Sequence, residues 1–235
     1  MDSTANTNLV FWAGKLLALK ESAQPYAVDP DTLETLQYDP FKCPGTTFTP
    51  NPKYDPISEK LVCFGYEAKG LGTDDVVVYA LDHKGQVYHN TWVNSPWRAF
   101  IHDCAITPNF IILILWPFEA DVDHMKNGAN FPANFIVVPS WASQVATGWS
   151  PGEYPVYHGE HALLLHTAGS WEESDGTKLY FESSRMAYNV FREFEVEPPQ
   201  QAPNFKADYV RWEIDLLKVN IPAKERVKVG FQNLG

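Results

Sequence analysis

Short apolar runs separated by turn residues recur along the whole chain, with few stretches at helical spacing to interrupt them. "NLVFWAGKLLALKES" reads as strand, glycine turn, strand, and "YAVDPDTLETL" turns at Asp29-Pro30-Asp31. "DVVVYALDHKGQVYHNTWVN" is a hairpin about Asp82-His83-Lys84-Gly85. "RAFIHDCAITPNFIILILWPF" turns at Thr107-Pro108-Asn109, and "HALLLHTAGSWEESDGTKLYFESSRM" at Ser174-Asp175-Gly176. "KLVCFGYEAKG", "ANFIVVPS" and "DYVRWEIDLLKV" supply further strands. Two phrases, "PYAVDPDTLETL" and "VVVYALDHKGQVYHNT", repeat one plan of strand, acidic turn and strand. Such repetition points to an all-β antiparallel propeller or sandwich, although the Gly-His and Trp-Asp signature of the commonest interaction propeller is missing. "EADVDHMKNG" is a short helical candidate, and residues 192–206 read as a solvated Pro-rich excursion.

The 235 residues, 45% hydrophobic, suffice for one large core, and the eight Trp, eleven Tyr and fourteen Phe suit packed strands. No domain boundary stands out, so residues 1–235 are read as one partial domain. A formal charge of -11 argues against nucleic acid as a partner. The longest apolar run, "FIILILW", is strand-sized, and the N-terminus has no basic leader before an apolar stretch. Cys43, Cys63 and Cys104 form no CxxC pair and read as core thiols of a reducing compartment, so the cytoplasm is the expected location.

Seven histidines bear on chemistry: His83, His89, His102, His124, His158, His161 and His166. His83 sits at a hairpin tip, His89 on a strand of alternating exposure and His124 in a polar segment, all ordinary places. His102 in "FIHDCAIT" and His166 in "HTAGSWEE" differ, each lying at a strand end beside apolar residues. Pattern alone reads them first as core histidines with satisfied hydrogen bonds, and second as metal ligands. No nucleophile elbow supports a Ser-His-Asp hydrolase.

Five segments, "NTNLVFWAGKLLALKESAQPYAVDPDTLETL", "FTPNPKYDP", "GYEAKG", "FIHDCAIT" and "HTAGSWEESDG", stand in the order of matching segments in the carotenoid cleavage oxygenase family. The chain resembles most its branch of lignostilbene-type and related aryl-alkene oxygenases. The resemblance runs from about Asn6 to Asp215. It implies a seven-bladed β-propeller whose axis holds Fe(2+) on four histidines from inner strands. It also implies reaction of O2 with a small apolar alkene, a conjugated carotenoid, apocarotenoid or stilbene-like molecule split into two carbonyl fragments. Neutral imidazoles leave the ion its charge and open positions, and carboxylates behind them orient the rings. The resemblance leaves room for a peripheral membrane contact in substrate uptake.

Carried over by position, His102 matches the second ligand and His166 the third. The first ligand's segment, usually Thr-Ala-His-Pro-Lys, here reads Thr49-Pro50-Asn51-Pro52-Lys53, so Asn51 occupies the ligand's place with a weaker neutral donor. Cys104 replaces an aromatic residue of the family's segment. The fourth histidine and the opening blade are expected outside this chain, which would make it an incomplete, internal piece of the propeller. Lys20 matches a lysine that contacts the substrate's phenol oxygen, where a cation favours phenolate and readies the alkene for oxygen. Glu21 matches a carboxylate that orients an iron-bound histidine. Glu172 and Glu173 resemble an acidic pair read as a turn-rim feature, while Phe100, Trp116 and Trp171 read first as core packing and second as lining of an apolar tunnel. The competing expectation is a catalytically inactive or non-catalytic propeller fragment.

Overall fold

The computed structural model describes residues 4–117, 133–141, 154–186, 207–220 and 230–234. Among these, the regular structure is β-strand apart from one 3-10 helix, Leu216–Asn220, so the all-β expectation holds. The short helical candidate with His124 and the whole Pro-rich excursion, residues 192–206, lie outside the described residues. No described helix is long and apolar enough to cross a membrane. The strands form four sheets of four, each an antiparallel meander in sequence order. Backbone contacts divide the chain into two compact units, Met1–Ser95 and Pro96–Gly235.

In the first unit, β1 (Asn8–Trp12), β2 (Lys15–Leu19), β3 (Tyr26–Val28) and β4 (Thr35–Tyr38) make one sheet. β5 (Lys53–Asp55), β6 (Lys60–Gly65), β7 (Asp75–Leu81) and β8 (Val87–Asn94) make the other. The repeated strand-turn-strand phrases are the third and fourth strands of these two sheets. β1 and β2 are joined by Ala13 (φ 50°) and Gly14 (φ 74°), closed by the pair Trp12 and Lys15. Positive φ at both positions is the turn that matches the twist of paired strands. At the β7–β8 turn, the Asp82 carboxylate accepts from the Lys84 and Gln86 backbone N–H groups, both at 2.8 Å. Gly85 there has φ 79°, and a Cβ on it would lie 2.4 Å from the Phe41 ring, so only glycine fits. Alternation puts Val77, Tyr79 and Leu81 into one core with Leu61, Cys63, Leu17 and Leu19. Trp12 locks the two sheets by donating its indole N–H to the Asp82 carbonyl at 2.8 Å.

The second unit holds β9 (Cys104–Ile106), β10 (Phe110–Leu115), β11 (Asn134–Pro139) and β12 (Val156–His158) in one sheet. β13 (Thr167–Glu172), β14 (Lys178–Met186), β15 (Ala207–Asp215) and β16 (Gly230–Asn233) form the next. All six residues of β10 are buried, which is why that stretch is apolar without alternation. One face of it, Phe110, Ile112 and Ile114, packs with Phe135, Val137, Leu179, Phe181, Val210, Trp212 and Ile214. Three interlocked rings, Phe135, Phe181 and Trp212, anchor this core, with centroids 5.2 to 6.1 Å apart. β14 alternates from Lys178 to Ser183, Leu179 and Phe181 facing inward while Tyr180 and Glu182 face out. The three cysteines are buried and form no disulfide with one another, as expected of core thiols.

Candidate metal-ligand pair

β9 and β13 are end strands of their sheets, and it is along them that the two sheets meet. His102 stands two residues ahead of β9 and His166 directly ahead of β13. The chain direction at both strand starts therefore delivers the two imidazoles to one place. Their ring centroids lie 4.8 Å apart at 62°, the rings meeting edge to face. A metal–nitrogen bond of about 2.0–2.1 Å puts a ring centroid about 3.2 Å from an ion, so two rings on adjacent positions stand about 4.5–5.2 Å apart. The observed separation fits that range. Among the described residues no group of three or more His, Cys, Asp or Glu converges as a metal cage.

What holds the pair is Asp103, the residue that follows His102 in "FIHDCAIT". Its carboxyl is buried, and Oδ1 accepts from the Cys104 N–H at 2.8 Å. Oδ2 accepts from the Thr167 N–H at 2.8 Å, across from one sheet to the next. The Thr167 hydroxyl shares its hydrogen between Asp103 Oδ2 at 3.1 Å and the Cys104 carbonyl at 3.0 Å. These donors compensate the burial of the carboxylate. The residues following both histidines are thereby latched together. His166 Nδ1 faces the same carboxylate, 3.7 Å from Oδ2. The sequence signal was the pair of dipeptides His-Asp and His-Thr, which means nothing until the strands are placed side by side.

Lower along the same junction, Glu172 accepts from Asn109, its backbone N–H at 2.6 Å and its side-chain amide at 2.8 Å. Glu173 accepts from the Tyr180 hydroxyl at 3.0 Å. The acidic pair thus works at the rim of turns, Glu172 as a staple between sheets. Phe100 and Trp116 cluster with Leu163, Leu165 and Met186. Trp116 also lies 5.5 Å from the His102 ring and is fixed by its indole N–H to the Leu164 carbonyl at 2.8 Å. An apolar wall therefore flanks His102. Trp171 takes no part in it: it stacks on Tyr180 at 5.5 Å with the Arg211 guanidinium 4.9 Å above, on the polar face of the sheet.

The remaining candidates belong to the first unit. Asn51 is half-buried, two residues ahead of β5, as His102 is ahead of β9. Its backbone N–H donates to Thr49 Oγ1 at 3.0 Å, and the Asn8 side chain donates to the Pro50 carbonyl at 2.9 Å, so this loop has a fixed shape. Lys20 and Glu21 follow β2 directly, both half-buried. The charge of Glu21 reaches the buried Tyr66, whose hydroxyl is held well above the usual phenol range, first by burial and then by Glu21 and Glu67. His83 and His89 are exposed and His158 is buried.

Comparison with known proteins places this arrangement. Residues 1–229 match the family model described as RPE65, retinal pigment epithelial membrane protein. Resveratrol cleavage oxygenase 1 of Botryotinia fuckeliana (strain B05.10) is 53% identical over 231 residues, covering 92% of this chain and 41% of that protein. Carotenoid cleavage oxygenase 1 of Neurospora crassa is 40% identical over 192 residues, covering 80% of this chain and 36% of that protein. The crystal structure of Pseudomonas brassicacearum lignostilbene dioxygenase superposes with a TM-score of 0.84 at 33% identity, over 99% of this chain and 48% of that one. The chain thus spans less than half the length of the relatives it matches, and its four sheets are blades of their propeller fold. The chain belongs to the RPE65 family of carotenoid oxygenases.

Proposed function

We propose that this chain contributes two ligands, His102 and His166, to the iron centre of an oxygenase that splits a conjugated carbon–carbon double bond, with a phenolic stilbene-like alkene as substrate. The observation that carries the reading is the pair of imidazoles at 4.8 Å, each delivered by the start of an end strand. The names of the relatives support the substrate class, one cleaving resveratrol and another a lignostilbene. Fe(2+), when bound, supplies the redox chemistry that lets O2 divide an alkene into two carbonyl fragments. The chain's own groups do the rest. Phe100 and Trp116 offer an apolar surface beside His102 that keeps water from the alkene. The latch from Asp103 to Thr167 keeps the two rings in register. Lys20 holds the substrate's phenol oxygen as phenolate, which feeds electron density into the double bond.

The test is to load the chain with Fe(2+) under anaerobic conditions, add O2 and a 4-hydroxystilbene, and measure aromatic aldehydes. Lys20→Met is expected to lower kcat on the phenolic alkene by about 100-fold, the usual loss when a charge-stabilising group is removed. Its effect on an alkene without the hydroxyl should be small. Equal losses on both would contradict the role given to Lys20.

A second reading draws on one observation, Asn51 at the position where an imidazole is expected. On that reading the chain is a non-catalytic member whose metal site has lost a donor. A folded chain that gives no aldehyde after iron loading would favour it.

A further inference from the structure

The first unit carries a cleft of about 530 Å³ lined by Trp12, Tyr54, Glu59 and His83. Its size suits a small organic ligand. The Trp12 and Tyr54 rings stand 5.9 Å apart at 55°, two planes set like the sides of an open corner. Tyr54 is 52% exposed, a large aromatic side chain left to solvent on β5. Glu59 and His83 are exposed on the turns that follow β5 and β7. Among the described residues no hydrogen bond or ion pair engages the Tyr54 hydroxyl or the Glu59 carboxylate. The supports of all these side chains are fixed. Trp12 spends its indole N–H on the Asp82 carbonyl at 2.8 Å, so it offers the cleft a ring and no donor. Tyr54 is paired with Leu61 across β5 and β6. The Asp55 carboxylate accepts from the Ile57 and Ser58 N–H groups at 2.9 and 3.3 Å, pinning the turn that carries Glu59. The Asp82 carboxylate pins the turn that carries His83 in the same way. Glu59 itself has φ 53°, a left-handed conformation that glutamate adopts at a cost.

A second cleft, of about 520 Å³ on the sheet of β13 to β16, is the contrast. Its charged groups are already engaged: Arg211 with Glu182 at 2.7 Å, Glu213 with Lys178 at 2.7 Å, and Glu173 with the Tyr180 hydroxyl at 3.0 Å. The first cleft keeps its carboxylate for a ligand. Ring faces carry negative π density and a carboxylate carries a full charge, so their complement is a cation with an apolar skin. A quaternary ammonium meets that description, because its charge is spread over methyl groups and it has no N–H to satisfy. The net charge of -11 draws cations to the surface. We propose that this cleft binds a quaternary ammonium group of the choline type, with Trp12 and Tyr54 receiving the methyl groups and Glu59 the charge. The site lies wholly in the first unit and needs no iron.

The experiment is a titration of the full chain with choline chloride, against sodium chloride at the same concentrations, followed by amide NMR. The expected result is a saturable set of shifts centred on Trp12, Tyr54, Glu59 and His83. The neutral carbon isostere of choline, with a tert-butyl group in place of trimethylammonium, should bind at least about tenfold more weakly, since it loses both attractions. Tyr54→Leu keeps the apolar bulk and removes the π face, and should weaken choline binding about 2- to 5-fold. Glu59→Gln should weaken it by up to about fivefold. Both side chains are exposed, so neither change opens a hole in the core. Phosphatidylcholine vesicles carry the same group and separate its sources. Retention on them that both variants weaken assigns the ligand to a lipid, and choline binding without retention assigns it to a free solute. Choline that leaves these four positions unshifted would overturn the proposal, as would an isostere that binds equally well, or an affinity unchanged in both variants.

Discussion

Replacing Trp212 with alanine is expected to cost the second unit about 3–5 kcal/mol, the range for truncating a fully buried large aromatic. Trp212 is 0% exposed and sits between Phe135, Phe181 and Phe231, with centroids 5.3, 6.1 and 5.2 Å away. Its indole N–H donates to the Ser183 hydroxyl at 2.9 Å, so truncation also strands a buried polar group. The site has little slack to collapse, since even a Cβ on Gly159 would lie 2.9 Å from the ring. Urea titration should show the loss, and the melting temperature should fall on the order of 10 °C. A change below about 1 kcal/mol would mean that this core is not packed as described. The function is downstream of it: Trp212 on β15 backs β14, and β14 pairs with β13, the strand that presents His166.

Asn51→His is expected to raise the affinity for Fe(2+), measured by anaerobic competition with a chromophoric chelator. An amide oxygen is a weak neutral donor, and imidazole suits iron far better. Loss of a group merely behind a ligand costs about 10–100-fold in affinity, so restoring a ligand should gain about 100-fold or more. The exchange leaves in place two contacts that shape the loop, the backbone N–H of residue 51 on Thr49 and the Asn8 side chain on the Pro50 carbonyl. An unchanged affinity would show that residue 51 is not a ligand position. A gain accompanied by new alkene cleavage would mark the wild-type chain as the member that lost a donor.

Much of the fold could be read from the sequence because its strands are short and punctuated. The turns at Ala13-Gly14, Asp82 to Gly85 and Ser174 to Gly176 all join paired strands. β14 and β15 were read as strands, and the structure adds the alternation that turns Leu179, Phe181, Val210, Trp212 and Ile214 inward. β10 was legible as a strand by length only, since it is buried throughout and has no alternation to read. The histidines were a harder case. His102 and His166 are 64 positions apart, and pattern alone gave the core reading first. It took the family resemblance to raise them, and the side-by-side placement of β9 and β13 to show that they share one place. Asp103 stayed hidden for the same reason, because its partner Thr167 is next to it only across two sheets. Trp171 was read from its residue type as core packing or apolar lining, but the stack on Tyr180 and the cation above it set it on a polar face.

The most direct measurement is a double-mutant cycle on Fe(2+) affinity with His102→Ala, His166→Ala and both together. If the two imidazoles serve a single ion, each replacement lowers affinity by about 100-fold or more, and the double variant loses much less than the sum of the two. Single variants that bind iron as the wild type does, or losses that simply add, would contradict a shared ion at this pair.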